Sequence, residues 1–118
     1  MTPAALKKFL LSLPAATVNV QWVEDEVYKV GGKMFAVTWL KGDSVTFKAA
    51  DDSFEILTQI DGIIPAPYLA RAKWVKLDRA SRLSDADLKG YLKRSHALVA
   101  AGLPKKTQRE LFGEKGLG

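Results

Sequence analysis

The 118-residue sequence contains no cysteine and only one histidine, His96. The lack of cysteine excludes disulfide bonds, metal sites with thiolate ligands and a cysteine nucleophile. With no cysteine and no second histidine, His96 has no partner with which to complete a common zinc site. A single histidine in the middle of a helix is more typical of a surface or core-edge residue than of a catalytic group. We therefore expect no bound metal, no cofactor and no catalytic role for His96.

Long hydrophobic runs are also absent. No stretch approaches the roughly 20 apolar residues that a membrane-spanning helix needs. Residues 1–13 hold Lys7 and Lys8 within a short apolar run and lack the long apolar core and cleavage site of a signal peptide. Together with the lack of cysteine, these features predict a cytoplasmic protein with no membrane partner.

The motifs that would indicate an enzyme are missing as well. Gly31-Gly32 has no Gly-Lys-Ser/Thr after it and leads into a strand, so it is no phosphate-binding loop. The serines stand in no nucleophile-elbow motif. The acidic groups at 24–26 and 51–52 stand at element boundaries, where acids serve turns and helix starts. We expect a non-enzymatic protein, and only a deep pocket with converging charged groups would revive an enzyme of unrecognised type.

The sequence does have a marked segregation of charge. Residues 1–70 contain six lysines, no arginine and eight acids, for a net charge of −2, whereas residues 71–118 contain twelve lysines and arginines against five acids, for +7. A segregated excess can create a local positive potential that attracts nucleic acid, anionic lipid or an acidic protein. The alternative is a solvated basic surface that has no partner.

The hydrophobic pattern indicates one α+β domain at residues 1–113, followed by a flexible tail at 114–118. Alternation of apolar residues predicts strands at 17–22, 27–30, 33–40 and 44–48, joined as an antiparallel meander, and a fifth strand at 73–77. Helices are predicted after Thr2-Pro3, after Asp51 or Asp52 as cap, after Ser84 and after Pro104. The apolar, proline-containing segment at 63–72 is expected to be a loop. The prediction is a five-stranded sheet packed by N-terminal and C-terminal helices.

Basic residues of the second part form the candidate binding set. Around the fifth strand they are Arg71, Lys73 and Lys76, with Lys73 on the face of Val75 and Lys76 on the face of Trp74; on the two C-terminal helices they are Lys93, Arg94, Lys105, Lys106 and Arg109. Basic side chains beside an aromatic suit phosphate contacts with base stacking. Trp74 also fits core packing, as do Trp22 and Trp39, and we favour the core role for all three.

Six stretches of the sequence stand out, in this order: LP at 13–14, VQW at 20–22, KVGGKMFA at 29–36, VTFK at 45–48, PAPYLARAKWV at 65–75 and LPKK at 103–106. In residues and in order they resemble the MmcQ/YjbR family of small bacterial proteins. They cover roughly residues 4–112. The chain departs from the family pattern at Trp22-Val23, where Trp-Gly is usual.

The resemblance implies an antiparallel sheet packed by helices, related in shape to frataxin-like and secretion-chaperone-like folds. It also implies DNA binding through a double-wing arrangement of strands, and it brings forward Lys33, Lys48, Arg71, Lys73, Lys105 and Lys106. Iron binding by a frataxin-like fold relies on a row of acids on the first helix. Here that helix carries Lys7 and Lys8 and no acid, so we exclude an iron-binding function.

Two functional hypotheses follow. The first is a monomeric DNA-binding or other nucleic-acid-binding protein that uses Lys33, Lys48 and the eight basic residues named above to contact the phosphate backbone. The second is an interaction module that holds an acidic protein partner through the apolar segment at 63–69 or through a sheet edge. The sequence favours the first hypothesis, mainly through the family resemblance.

Overall fold

A computed structural model describes residues 2–20, 25–39, 44–67, 69–78 and 83–113 of the chain. Its elements are α1 (Pro3–Ser12), β1 (Ala16–Val20), β2 (Asp25–Val30), β3 (Lys33–Trp39), β4 (Val45–Lys48), α2 (Asp51–Leu57), β5 (Ile63–Pro65), a 3₁₀ turn (Ala70–Ala72), β6 (Trp74–Leu77), α3 (Asp85–Ala101) and α4 (Lys105–Phe112). The predicted α+β class is confirmed. The predicted tail at 114–118, residues 41–43 between two predicted strands, Trp22 and the side chain of Trp39 lie outside the described part.

Three helices, α1, α3 and α4, begin where the sequence places their start signals. The Thr2 hydroxyl accepts a hydrogen bond from the Ala5 N–H at 3.1 Å, and the Ser84 hydroxyl accepts one from the Asp87 N–H at 3.1 Å. The predicted cap of α2 is wrong, because Ala50 occupies the cap position without a side-chain hydrogen bond. Asp51 and Asp52 lie instead in the first turn, where their charge complements the helix dipole.

The sheet has six strands in the order β1-β2-β3-β4-β6-β5, and every neighbouring pair is antiparallel. Gly31 (φ 57°) and Gly32 (φ 80°) form the turn between β2 and β3 in the left-handed conformation that glycine adopts most easily. The predicted acidic turn is wrong at Asp25 and Glu26, since both residues belong to β2 and pair with β3. Glu24, the third acid of that turn, lies outside the described part.

The sixth strand corrects the prediction of a loop at 63–72. Ile63, Ile64 and Pro65 pair with β6 at the edge of the sheet, and Ala70–Ala72 form the 3₁₀ turn. A three-residue strand is too short to show a period of two, and a proline is tolerated at an edge because its missing N–H faces away from the ladder. The predicted fifth strand is one residue too long, because Lys73 adopts a positive φ of 65° and β6 starts at Trp74.

The two faces of the sheet differ in what covers them. Residues of α1, α2 and α3 pack against the helical face, where Tyr28, Ala36, Phe47 and Val75 stand in register across four strands. The other face, here called the open face, carries in register the row Asn19, Val27, Val37, Thr46, Lys76 and Ile64. Within the described ranges, no helix has the length and hydropathy to cross a membrane.

A β-bulge in β3 links the sheet to α3. The register shifts between Tyr28 and Lys29, which leaves Phe35 as the extra residue of β3. The hydroxyl of the fully buried Ser95 donates to the Phe35 carbonyl at 2.7 Å and accepts from the Lys48 N–H at 3.0 Å. This hydroxyl therefore bridges β3 and β4 at the bulge, directly beyond Ala36 and Phe47, the last residues that the two strands pair.

Candidate nucleic-acid interface

The strand directions give the sheet two distinct ends. The hairpin end, named for the Gly31-Gly32 turn, holds the start of β3, the end of β4 and the start of β6. The far end holds the start of β2 and the end of β6. α3 follows β6 and therefore starts at the far end. α3 is followed by Leu103, which lies beside Gly31, since a Cβ added to Gly31 would meet Leu103 Cδ1 at 2.6 Å. α3 therefore ends at the hairpin end.

The fold brings seven of the ten candidate residues to the hairpin end. Lys33 starts β3, Lys48 ends β4, and Arg71 and Lys73 directly precede β6. The other three, Lys105, Lys106 and Arg109, belong to α4.

Packing of α4 fixes the direction of its basic side chains. Leu111 approaches Gly31, and the Phe112 ring lies 6.3 Å from the buried His96 ring, so this side of the helix faces the protein. At 100° per residue, Lys106 falls opposite this side, whereas Lys105 and Arg109 lie roughly 70° and 110° around the helix from its middle, and all three are exposed. The helix therefore presents three cations to solvent at the hairpin end.

Acidic residues are concentrated at the far end. Six of those described lie at strand and helix termini there: Asp25, Glu26, Asp61, Asp78, Asp85 and Asp87. At the hairpin end the described acids are Asp51, Asp52 and Glu110, and Glu55 lies one turn further along α2. The asymmetry that the sequence shows along the chain thus becomes, among the described residues, an asymmetry along the strand direction.

Two of the predicted lysines already have partners within the protein. Lys48 Nζ donates to the Ala72 carbonyl at 2.7 Å, and Lys73 Nζ lies 5.0 Å from the centroid of the Phe54 ring. These contacts hold the 3₁₀ turn and its neighbouring residue against the sheet and leave Arg71 exposed between them. Lys48 and Lys73 therefore position the turn, while Arg71 is the cation that reaches solvent.

The remaining three candidates do not join the hairpin end. Lys76 lies on the open face opposite Thr46, and it is exposed. Lys93 and Arg94 are exposed on α3, whose buried side carries Leu92 and Ser95 and packs on the helical face. Because the sheet separates these two surfaces, one flat ligand cannot contact Lys76 and Arg94 together.

Sequence reasoning did not select Lys29 as a candidate. It stands on the open face of β2, opposite Thr17 and Met34, and it is half-buried. A sequence signal for the position of Lys29 does exist, because alternation along the strand places it on the opposite face from its buried neighbours Tyr28 and Val30.

Trp74 is only 6% exposed, which confirms its core role. It lies on the open face opposite Lys48, and its burial prevents it from stacking on a nucleic-acid base.

His96 is a structural residue. It is buried, and its ring packs edge-on against Phe35 at 5.1 Å. Its Nε2 lies 2.7 Å from the Pro14 carbonyl, so Nε2 carries the proton in this contact, since a carbonyl oxygen only accepts. No three histidine or acidic side chains gather within metal-binding reach in the described ranges.

A polar network fastens β2 to α1 at the far end. The Tyr28 hydroxyl donates to Glu26 Oε2 at 2.9 Å, and the same oxygen lies 3.4 Å from Lys7 Nζ. Burial is the main cause that raises the pKa of Tyr28, and the hydrogen bond and negative charge of Glu26 raise it further. The network accounts for a carboxylate that is only 13% exposed.

The chain is similar in sequence and in fold to known proteins. The chain is 28% identical over 111 residues to the uncharacterized protein YbdF of Escherichia coli O157:H7, with 89% of each chain covered. The crystal structure of the Deinococcus radiodurans protein DR2400, a DUF419 domain, superposes with a TM-score of 0.83 at 26% identity, covering 93% of this chain and 87% of that one. A Pseudomonas syringae protein shares the fold at 15% identity, with a TM-score of 0.69, 83% of this chain covered and 98% of that one.

The family model described as YjbR matches residues 11–98. That range includes the β2–β3 hairpin, the segment from Pro65 to Val75 and most of α3. The chain therefore belongs to the YjbR family.

Proposed function

We propose that this protein binds nucleic acid, and DNA in particular, through phosphate contacts from the hairpin end, and that it catalyses no reaction. The observation that carries the proposal is the gathering of seven basic residues at one end of the sheet, opposite six acids at the other. Such a field attracts a polyanion and orients the protein on it. The DNA-binding role implied by the family resemblance points in the same direction.

The proposed contact residues are Lys33, Arg71, Lys105, Lys106 and Arg109. All five side chains are exposed, and none of them makes an ion pair or hydrogen bond with another described residue. The burial of Trp74 removes one aromatic side chain that could stack on bases. We therefore expect recognition of the phosphate backbone, with little dependence on base sequence.

Salt dependence tests this proposal directly. Neutralising five phosphates gives a slope of about −4.5 in log K against log [salt] on duplex DNA. Fluorescence anisotropy of a labelled duplex, measured from about 50 to about 200 mM salt, gives both affinity and slope. The absence of binding even at the lowest salt would refute the proposal.

A pair of double variants tests where the DNA binds. Lys105→Glu with Lys106→Glu reverses charge at the hairpin end, whereas Lys93→Glu with Arg94→Glu makes the same change in net charge on the outer side of α3. We expect the first to weaken binding at least about tenfold and to flatten the slope by about two, because two phosphate contacts are lost. The second should have a clearly smaller effect, since it acts only through the net charge. Equal losses in both would contradict an interface at the hairpin end.

The second candidate function is the interaction module with an acidic partner at residues 63–69. One observation favours it: Ile64 is 52% exposed on the open face. Ile63 and Ala66 of the same segment are buried, so the apolar surface on offer is small. A pull-down that still recovers one specific protein after nuclease treatment would favour this function over DNA binding.

A further inference from the structure

The outer side of β1 is an open sheet edge. β1 (Ala16–Val20) pairs with β2 on one side, and no other described strand pairs with its second side. Its outward N–H and C=O groups are therefore a template for another strand.

The two edges of the sheet are protected to very different degrees. β5 has three residues and includes Pro65, so it offers little to a pairing strand. β1 has five residues, Ala-Thr-Val-Asn-Val, with no charge and no proline, and its register with β2 is unbroken. Monomeric proteins usually blunt such an edge with charge, proline or a bulge.

Apolar side chains are exposed along this edge. Val20 is 58% and Leu11 is 40% exposed. Phe9 faces α3, since Lys89 Nζ lies 5.7 Å from the centroid of its ring. Leu11 is two residues later, roughly 160° around α1, and therefore lies on the side of the helix away from α3, towards the β1 edge.

We propose that a second copy of this chain pairs with β1 in the antiparallel direction, about a twofold axis at Val18, and continues the sheet. In this register Thr17 faces the partner's Asn19 on the open face, and Ala16 faces the partner's Val20 on the helical face. Polar residues then meet polar ones and apolar residues meet apolar ones. The partner then covers Val20, and Leu11 of each copy lies at the shared edge, on the side of the partner's α1.

The charge distribution fits the same arrangement. An antiparallel pairing sets the hairpin end of each copy beside the far end of the other. The basic end of one copy therefore lies next to the acidic end of its partner at both sides of the axis, which favours association and fixes its direction. This proposal replaces the monomer expected from the sequence, and it does not depend on nucleic-acid binding.

Two double variants test the register. Thr17→Glu with Asn19→Glu places like charges opposite each other across the axis, whereas Thr17→Glu with Asn19→Lys places opposite charges there. Both positions are exposed, and Thr17→Glu faces Lys29 of its own chain in both variants. Like charges that face each other destabilise strand pairing, and opposite charges stabilise it.

Sedimentation equilibrium of the full chain, from about 1 µM to about 1 mM, gives the dissociation constant of each dimer. We expect a dimer for the unmodified chain, a dissociation constant at least about tenfold higher for the like-charge variant, and recovery in the opposite-charge variant. Matching thermal unfolding at low concentration shows that both variants fold. A monomeric unmodified chain at the highest concentration, or equal dissociation constants for the two variants, would overturn the proposal.

Discussion

The Ser95 hydroxyl is the most sensitive single point of the fold. It is fully buried, and it satisfies the Phe35 carbonyl and the Lys48 N–H at the same time. Ser95→Ala removes both hydrogen bonds and leaves the buried Phe35 carbonyl and the part-buried Lys48 N–H without a partner. Leaving one such group unsatisfied costs about 1–3 kcal/mol. Because β3 and β4 can move slightly towards each other, we expect a loss of about 2–4 kcal/mol in the free energy of unfolding.

Urea unfolding followed by circular dichroism measures this loss, since the unfolding free energy depends linearly on denaturant. A domain of this size has a total stability of about 5–15 kcal/mol, so the shift in midpoint should be large. Ser12→Ala is the matched control, because the Ser12 hydroxyl is exposed and donates only to Phe9 within its own helix. That control should change the free energy by less than about 0.5 kcal/mol.

Amide exchange adds a local readout to the same experiment. Loss of the acceptor Oγ should lower the protection of the Lys48 amide more than that of its neighbours in β4, because only Lys48 donates to Ser95. If Ser95→Ala unfolded at the same urea concentration as the unmodified protein, β3 and β4 would have to pair without the hydroxyl, and the bridge would be irrelevant to stability.

Two further predictions concern the alkaline range and the β2–β3 turn. Because the pKa of Tyr28 is raised, above about pH 10 the unfolded chain loses the tyrosine proton while the folded protein keeps it. The free energy of unfolding therefore falls by up to about 1.4 kcal/mol per pH unit. Tyr28→Phe should remove this part of the pH dependence, and parallel curves of unfolding free energy against pH for the two proteins would contradict the prediction. Gly31→Ala places a Cβ 2.6 Å from Leu103 Cδ1 at a φ of 57°, whereas Gly32→Ala at a φ of 80° meets no atom within 4 Å. We expect Gly32→Ala to cost about 1–2 kcal/mol from backbone strain alone and Gly31→Ala about 1–3 kcal/mol more from overpacking against Leu103, as measured by thermal unfolding. Equal costs would refute the close approach of Leu103 to Gly31.

Local signals in the sequence predicted most of the elements. The Thr2 and Ser84 caps, the Gly31-Gly32 turn and the alternation in β4 each depend on neighbouring residues, and the structure confirms them. β5 was missed because its pairing with β6 depends on a contact across the sheet, and a pattern of three residues is too short to predict that contact. The start of β6 was misplaced because nothing in the sequence marks Lys73 as a residue with positive φ.

The same distinction between local and long-range signals applies to the candidate site. The sequence identified the basic residues, but their grouping depends on strand direction and on the side of α3 that packs against the sheet. Lys93 and Arg94 are neighbours of Ser95 in the chain, yet they point away from it because Ser95 is on the buried side of the helix. The partners of Lys48 and Lys73 could not be predicted either, since both depend on how Ala72 and Phe54 fold back onto the sheet.

The charge asymmetry connects the two proposals. In the chain the negative part precedes residue 71, but β4 and β6 run in opposite directions, so Lys48 of the first part and Lys73 of the second arrive at the same end. The first part also contributes Asp25 and Glu26 to the far end, and the second contributes Asp78, Asp85 and Asp87. Both ends therefore draw on both parts of the chain, and the polarity of the molecule is a product of antiparallel topology. In the proposed dimer the same topology sets two basic ends at opposite corners of one continuous sheet, so a single DNA segment would meet only one of them at a time.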